Sequence, residues 1–181
     1  MRNKLLFAAA AFGLAATSAA AQEAPFGGSE DSDYAALLWE VMLQSELAGE
    51  GAIQAFPYEG FDPHGVLLET FYTTAIVDGH EGDLVVKRNY GPESVTIDDV
   101  LINPEGHLGS VTVMFRREAG YDSDNQDWFW VKYLPDGSLD KNPLGISLAG
   151  RVGKDADAGC IACHVGAGGD DYIFTSDHIT Q

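Results

Sequence analysis

The hydrophobic and polar positions of the chain follow a helical period in one early segment and strand-like patterns in four later ones. From Asp33 to Ala48, apolar side chains recur about every 3.6 residues on one face, which predicts an amphipathic helix. Runs rich in β-branched and aromatic side chains predict strands, because such side chains fit a pleated, half-buried surface. These runs cover residues 66–77, 84–90, 111–116 and 128–133.

The segments between these elements complete the predicted architecture. Residues 22–33 contain Gly, Ser, Pro and acids without an apolar period, which predicts a flexible lead-in. A capping threonine, early acids and a following proline predict a short helix over 96–103. The sequence has no visible internal repeat, and its length suits one domain, which we place at 34–181. The fold class indicated is α+β: a mainly antiparallel β-sheet with flanking helices on one side and an aperiodic C-terminal segment.

The first 21 residues have the pattern of a secretory signal peptide. Arg2 and Lys4 precede an apolar stretch from Leu5 to Ala16, and small residues follow up to Ala21. The apolar stretch is shorter than the roughly 20 residues that a membrane span needs. We therefore expect cleavage after Ala21 and a periplasmic or secreted protein, with no membrane segment after cleavage.

The balance of charge excludes one large class of partner. The chain has 28 acidic and 10 basic residues, a formal charge of −18 that becomes −20 once Arg2 and Lys4 leave with the signal peptide. Nucleic acid is a polyanion that binds a basic face, so a nucleic-acid partner is excluded. A redox partner protein would present a basic patch, because opposite charges steer two proteins together.

Candidate chemistry is concentrated near the C-terminus, where the two cysteines of the chain lie. Cys160 and Cys163 are followed directly by His164 in the sequence Cys-Ile-Ala-Cys-His, the attachment motif of c-type haem. Two thiols one helical turn apart can add to the two vinyl groups on one edge of haem, and the adjacent imidazole can then bind the iron. The motif therefore predicts one covalent haem c, and a large, flat, apolar cofactor would also order a tail that has little periodicity.

Other uses of these thiols stay open from the sequence. A structural zinc site needs four ligands, and His164 is poorly spaced to join its neighbour Cys163 on one tetrahedral ion. A thioredoxin-like pair is typical of the start of a βαβ unit rather than of a C-terminal tail. A β-rich binding protein with an incidental motif is the third alternative.

The sixth ligand of a haem iron separates electron carriers, which fill that position with Met or His, from gas binders and catalysts, which leave it open. Met42 fits the apolar face of the first helix, whereas the histidines before residue 110 lie next to glycine in polar turns, where solvent exposure is the simplest interpretation. No candidate stands out, so we expect an open or weakly occupied position. The full set of candidates is Met42, Met114, His64, His80, His107 and His178.

Several segments together resemble the cytochrome P-460 family, which also contains the cytochromes c-prime-beta. The resemblance covers most of residues 65–175, and it implies a mainly antiparallel β fold, usually a homodimer, with one five-coordinate haem c. It implies thioether bonds at Cys160 and Cys163 and an iron ligand at His164. The matching stretches are LVVKRNYGPE (84–93), VTVMFRREAGYD (111–122), DWFWVKYLPDGSLDKNP (127–143), and LAGRV, CIACH and DYIFT within 148–175.

The resemblance implies two possible activities. The P-460 enzymes have a lysine joined covalently to the porphyrin edge and oxidise hydroxylamine or nitric oxide, and Lys87 lies where that lysine falls. A plain surface position for Lys87 stays open, as does the weaker rival Lys132. The enzymes also need a distal carboxylate for proton transfer. Candidates near the predicted strands are Glu69, Glu93 and Glu118.

The c-prime-beta members lack the cross-link and cap the haem with aromatic side chains, binding diatomic gases without obvious turnover. Four phenylalanines could form such a cap or could be ordinary core: Phe56, Phe61, Phe71 and Phe115. The function expected is an exported mono-haem c-type cytochrome that acts on or binds hydroxylamine or nitric oxide. The alternative is a six-coordinate electron-transfer cytochrome without substrate chemistry.

Overall fold

The structure is a computed structural model that describes residues 25–169 and 171–174. The predicted signal peptide at 1–21 and the candidate ligand His178 lie outside the described residues. The elements in chain order are α1 (Ser29–Gln44), β1 (Tyr58–Glu59), β2 (Leu67–Val77), β3 (His80–Tyr90), α2 (Ile97–Ile102), α3 (Pro104–His107), β4 (Leu108–Arg116), a 3-10 turn (Ser123–Asn125), β5 (Trp128–Tyr133), β6 (Ala149–Gly150) and α4 (Cys160–His164).

The six strands form one antiparallel sheet in the order β1-β2-β3-β4-β5-β6, so each strand pairs with its neighbours in sequence. The predicted fold class, α+β with a mainly antiparallel sheet, is confirmed. The longest hairpin joins β2 to β3 through Asp78 and Gly79, whose φ angles of 49° and 78° suit a two-residue turn of type I′. Because two residues complete this turn, β3 begins at His80 rather than at the predicted Leu84.

The predicted lead-in at 22–33 is wrong in its second half. Helix α1 begins at Ser29, and Phe26 forms an isolated antiparallel bridge with Gly150. The first turn of α1 contains two acids, which interact favourably with the positive end of the helix dipole. Because this turn is polar, it adds nothing to the apolar period from which the helix was predicted.

One face of the sheet packs against α1 and forms the main core. Leu84, Phe115 and Phe129 form one row across β3, β4 and β5, and a valine row lies beside it. Burying large apolar side chains stabilises the fold by about 1.5–3 kcal/mol for each of them. The side chains of α1 that cover these rows are Tyr34, Ala35, Leu38 and Met42.

The opposite face is covered by α4 and the residues around it, so the prediction that the helices flank one side is wrong. Val85, Met114 and Trp130 form a row on this face and pack with Val152 and Ile161 of the C-terminal segment. A five-residue helix such as α4 has too few positions to show an apolar period, which is why the sequence pattern did not reveal this second layer.

The C-terminal segment is held to the sheet by hydrogen bonds as well as by packing. The Ile161 amide donates to the Val152 carbonyl at 3.1 Å. The Trp128 indole N–H donates to the Asp171 carbonyl at 2.8 Å. These hydrogen bonds fix part of the C-terminal segment to the sheet without any cofactor. Among the described residues, no helix combines the length and the apolar character needed to cross a membrane.

Candidate functional site

A cavity of about 460 Å³ lies between the second face of the sheet and the C-terminal segment. Its lining is mostly apolar, with a few polar groups, which is the usual character of a site for a large organic cofactor. The sheet contributes Tyr72, Val85, Lys87, Thr112, Met114, Trp130 and Lys132. The C-terminal segment contributes Val152, Asp157, Cys160, Cys163, His164 and Phe174, and the loop before β2 contributes Pro63 and His64.

Helix α4 presents both cysteine side chains to this cavity. Cys160 and Cys163 are three residues apart, so they lie on one side of the helix, and both thiols are free. Gly159 precedes the helix with φ of 126°, and a Cβ atom there would lie 2.8 Å from the Cα atom of Gly153. Burial raises the pKa of the Cys160 thiol to about 11, which keeps that sulfur protonated at neutral pH.

His164 is held so that one ring nitrogen is left available. Its side chain is 7% exposed, and Nδ1 lies 2.7 Å from the Tyr172 carbonyl oxygen, which makes Nδ1 the protonated nitrogen. Nε2 is then the nitrogen with a lone pair to bind a metal. The ring also contacts Trp130 and Phe174, at centroid distances of 4.8 Å and 5.2 Å. Burial lowers the pKa of His164, which favours the neutral form that a metal requires.

Two lysines and a threonine form a polar row on the cavity face. Lys87, Thr112 and Lys132 are register partners across β3, β4 and β5. Lys132 Nζ is 2.9 Å from Asp140 Oδ2, whereas Lys87 makes no ion pair with the residues that the structure describes. Burial lowers the pKa of Lys87. Lys87 therefore lies at the cavity rather than on the surface, and its amino group is freer to react than that of Lys132.

The candidate sixth ligands occupy very different environments. Met42 is fully buried in the core beneath α1, as its helical period predicts. Met114 and His64 line the cavity. His80, the first residue of β3, and His107, the last residue of α3, are half-buried and do not line it.

The prediction that His64 is a solvent-exposed turn residue is wrong. Its ring is half-buried in the cavity, with Nδ1 3.3 Å from Thr112 Oγ1 and its centroid 6.2 Å from that of His164. Burial, and then the nearby charge of Lys87, lower the pKa of His64 to about 3, so the ring is neutral at physiological pH. The sequence shows a polar turn at this point, and only the approach of the loop to β4 places the ring inside.

The four phenylalanines proposed as a cap do not line the cavity. Phe115 lies in the core on the other face of the sheet, and Phe71 lies on that same face under the Arg88 guanidinium, 5.0 Å from its ring centroid. Phe56 and Phe61 are 72% and 73% exposed. The aromatic side chains that do line the cavity are Tyr72, Trp130 and Phe174.

None of the three proposed distal carboxylates lines the cavity either. Glu69 is fully buried on the core face, where its carboxylate pairs with Arg88 at 3.3 Å and accepts a hydrogen bond from Tyr90. Glu93 and Glu118 are exposed. The acid in the lining is Asp157, three residues before Cys160. It lies in a loop without strand character, so a search near predicted strands could not find it; proximity to the motif was the available signal.

The donor set of the cavity fits a c-type haem. Two free thiols and an imidazole with an available Nε2 converge there, and the buried Trp130 indole N–H, also in the lining, has no hydrogen-bond partner among the described residues. Across 25–169 and 171–174, no three side chains of His, Cys, Asp or Glu are grouped as a metal-ion site would require, so nothing there completes a zinc site around Cys160 and Cys163.

Comparison with known proteins agrees with this geometry. The family model described as Cytochrome P460 matches residues 66–175, which is more than half of the chain. The match covers the sheet from β2 onwards and the whole of α4. No curated protein matches the chain, and no solved structure matches it. The chain thus belongs to the cytochrome P460 family, as the resemblance of its sequence segments predicted, and is a c-type haem protein.

Proposed function

We propose that this protein is an exported cytochrome with a single covalent haem c that binds or oxidises a small nitrogen oxide species, hydroxylamine or nitric oxide. The observation that carries the proposal is the convergence of Cys160, Cys163, His164 and Lys87 on one cavity. The signal-peptide pattern of residues 1–21 supports export to the periplasm or beyond.

The first step is the covalent attachment of haem to the two cysteines. The S–H bond of Cys160 and that of Cys163 would each add across a vinyl group, the sulfur bonding one carbon and the hydrogen passing to the other, so no oxidant is consumed. His164 would bind the iron through Nε2, while its Nδ1–H stays on the Tyr172 carbonyl and fixes the ring. Once bound, the haem supplies an iron that can coordinate a nitrogen oxide and pass electrons to an external acceptor.

Lys87 is the residue that decides between an oxidising enzyme and a gas binder in this proposal. A bond from its Nζ to a porphyrin carbon replaces one N–H and one C–H bond, and it releases two protons and two electrons, so it needs an oxidant such as hydrogen peroxide. The lowered pKa of Lys87 favours the neutral, nucleophilic amine that this bond requires.

Proton transfer during oxidation of hydroxylamine would fall to groups in the cavity lining. Asp157 lines the cavity and is exposed, so it can exchange protons with solvent. The net charge of the chain favours an electron acceptor with a basic patch. A homodimer, as the resemblance implies, is part of the proposal.

The test is the absorption spectrum of the ferrous protein expressed with a c-type maturation system, with and without carbon monoxide, together with the intact mass. One covalent haem adds one haem mass to the cleaved chain, and Cys160→Ala combined with Cys163→Ala abolishes it. A broad, red-shifted Soret band that Lys87→Ala converts to an ordinary c-type spectrum supports the oxidising enzyme. Lys132→Ala is the matched control and should leave the band in place. A mature chain that carries no haem contradicts the proposal.

A second candidate function, electron transfer without substrate chemistry, is favoured by one observation. His64 lies in the same cavity as His164, and a histidine there is a strong-field ligand of the type that electron carriers use. Hydroxylamine oxidation with a stoichiometric electron acceptor separates the two functions, because a pure carrier exchanges electrons but does not consume hydroxylamine.

A further inference from the structure

The two imidazoles of the cavity have a specific geometric relation. The ring centroids of His64 and His164 are 6.2 Å apart, and the ring planes are inclined at 84°. An imidazole nitrogen lies about 1.1 Å from its ring centre and binds a metal at about 2 Å, so two imidazoles on opposite sides of one metal ion have ring centres about 6.2 Å apart. The observed separation therefore matches that of two imidazoles on opposite sides of one metal ion.

In both rings, Nδ1 is in contact with a protein oxygen. Nδ1 of His164 is held by the Tyr172 carbonyl at 2.7 Å, and Nδ1 of His64 lies 3.3 Å from Thr112 Oγ1. A protein contact on Nδ1 is the usual outer-shell partner of a histidine that binds metal through Nε2. Both rings are half-buried or better.

The loop that carries His64 is tightly closed and anchored to the sheet. Gly65 has φ of 136°, and a Cβ atom there would lie 2.8 Å from the Tyr90 carbonyl oxygen. A Cβ atom on Gly60 would lie 2.3 Å from the Gly65 carbonyl oxygen, so the two ends of the loop meet. The Gly60 amide donates to the Val66 carbonyl at 2.9 Å. His64 is therefore held in position by close backbone packing and is not a freely moving turn residue.

We propose that His64 is the sixth ligand of the haem iron, opposite His164, in the resting state of the protein. This inference rests on the proposed function only in assuming that the haem is attached at Cys160 and Cys163. Of the rival ligands, Met114 is packed in an apolar row between Val85 and Trp130. Lys87 remains free for a covalent bond. A small nitrogen oxide then reaches the iron by displacing His64.

The experiment is low-temperature electron paramagnetic resonance of the ferric protein, with absorption spectroscopy of the ferrous protein at neutral pH. We expect low-spin iron in both oxidation states, with the strongly anisotropic ferric signal that perpendicular imidazole planes produce. His64→Ala should lose the low-spin signal and become high-spin, and added imidazole should restore it. His80→Ala is the matched control, because the His80 ring is hydrogen-bonded to the Arg116 carbonyl and does not line the cavity. The His80→Ala variant should remain low-spin.

A second variant tests direct coordination without emptying the position. His64→Met should keep a six-coordinate iron but shift the ligand-sensitive near-infrared band from the position typical of two histidines to that of histidine and methionine. A wild-type protein that is high-spin when ferrous, or a His64→Ala variant that stays low-spin without imidazole, overturns the inference. Either result leaves the proposed function standing if the pyridine haemochrome of the denatured protein still reports haem c. Its absence contradicts the proposed function instead.

Discussion

The sheet has one face that is filled by protein and one that is left as a cavity, although the same strands form both. On the core face, Leu84, Phe115 and Phe129 lie in register and are covered by α1. On the cavity face, Lys87 and Lys132 flank Thr112 in a comparable row. The first row is fully satisfied by apolar packing. The second has the charge and hydrogen-bonding capacity of a site that takes a ligand.

Two adjacent residues of β3 show the contrast most directly. Arg88 faces the core, where it pairs with Glu69 at 3.3 Å and donates hydrogen bonds to the carbonyls of Leu47 and Ile53. Lys87 faces the cavity and makes no ion pair with a described residue. A buried cation with all its partners is part of the structure, whereas one without them is available for chemistry. In this pair of residues, the presence or absence of an ionic partner therefore distinguishes the structural Arg88 from the reactive Lys87 better than burial does.

The largest effect on stability should come from the core face. Phe115→Ala removes a fully buried ring between β3 and β5 and should lower the free energy of unfolding by about 3–5 kcal/mol, measured by denaturant titration. Phe61→Ala is the matched control, because Phe61 is 73% exposed; it should change stability by less than about 0.5 kcal/mol. Equal losses in the two variants would show that the assignment of faces is wrong.

A somewhat smaller loss is expected at the buried ion pair. Glu69→Gln leaves the Arg88 guanidinium without its anionic partner and should cost about 3 kcal/mol in the same titration. Combining it with Arg88→Met should recover part of the loss, since no unpaired charge then remains. The haem spectrum of both variants should be that of the wild type, because neither side chain lines the cavity. A spectral change would move this pair to the functional site.

Lys87→Met should remove a functional group without lowering the stability of the fold. Because the Lys87 amine is desolvated without an ionic partner, its removal should leave the free energy of unfolding unchanged or raise it by up to about 1 kcal/mol. The proposed bond predicts that the wild type gives a proteolytic peptide in which residue 87 is joined to the haem peptide, and that the variant does not, as measured by mass spectrometry. A cross-linked peptide that persists would identify another lysine, with Lys132 the first to examine.

The smallest effect is expected where the cavity face meets solvent. Lys132 and Asp140 are each about 30% exposed or slightly less, so Asp140→Asn should cost less than about 1 kcal/mol. The loss should shrink further at high salt, because solvent-exposed charges are screened. A cost as large as that of Glu69→Gln would mean that Lys132 needs its partner as much as Arg88 does.

Much of this architecture follows from short-range sequence patterns. The four long strands, β2 to β5, were predicted because they are rich in β-branched and aromatic residues, which alternate with polar ones in β4, and because turn residues bound them. The two-residue strands β1 and β6 are too short to show such a pattern. The start of β3 was misplaced because Glu81, Gly82 and Asp83 look like a turn by composition, whereas the type I′ turn closes with Asp78 and Gly79. Turn geometry depends on backbone angles, which composition indicates only loosely.

The residues of the site also fall into those that the sequence predicted and those that it misplaced. Cys160, Cys163 and His164 lie within one helical turn, so five consecutive residues were sufficient to predict the cofactor class that family membership supports. Lys87 was identified by resemblance alone. The distal acids and the aromatic cap were misplaced because alternation along a strand defines two faces without revealing which of them the tail will cover.

Local spacing was thus enough for the four long strands and the haem motif, because each depends on residues close together in the chain. The three-dimensional fold alone brings His64 within 6.2 Å of His164 across 100 residues of sequence. It alone places Lys87 at a cavity and Arg88 in the core. The physical reason is that the tail covers one face of the sheet while α1 covers the other, and no periodicity in the sequence records which long-range surface each strand residue will meet.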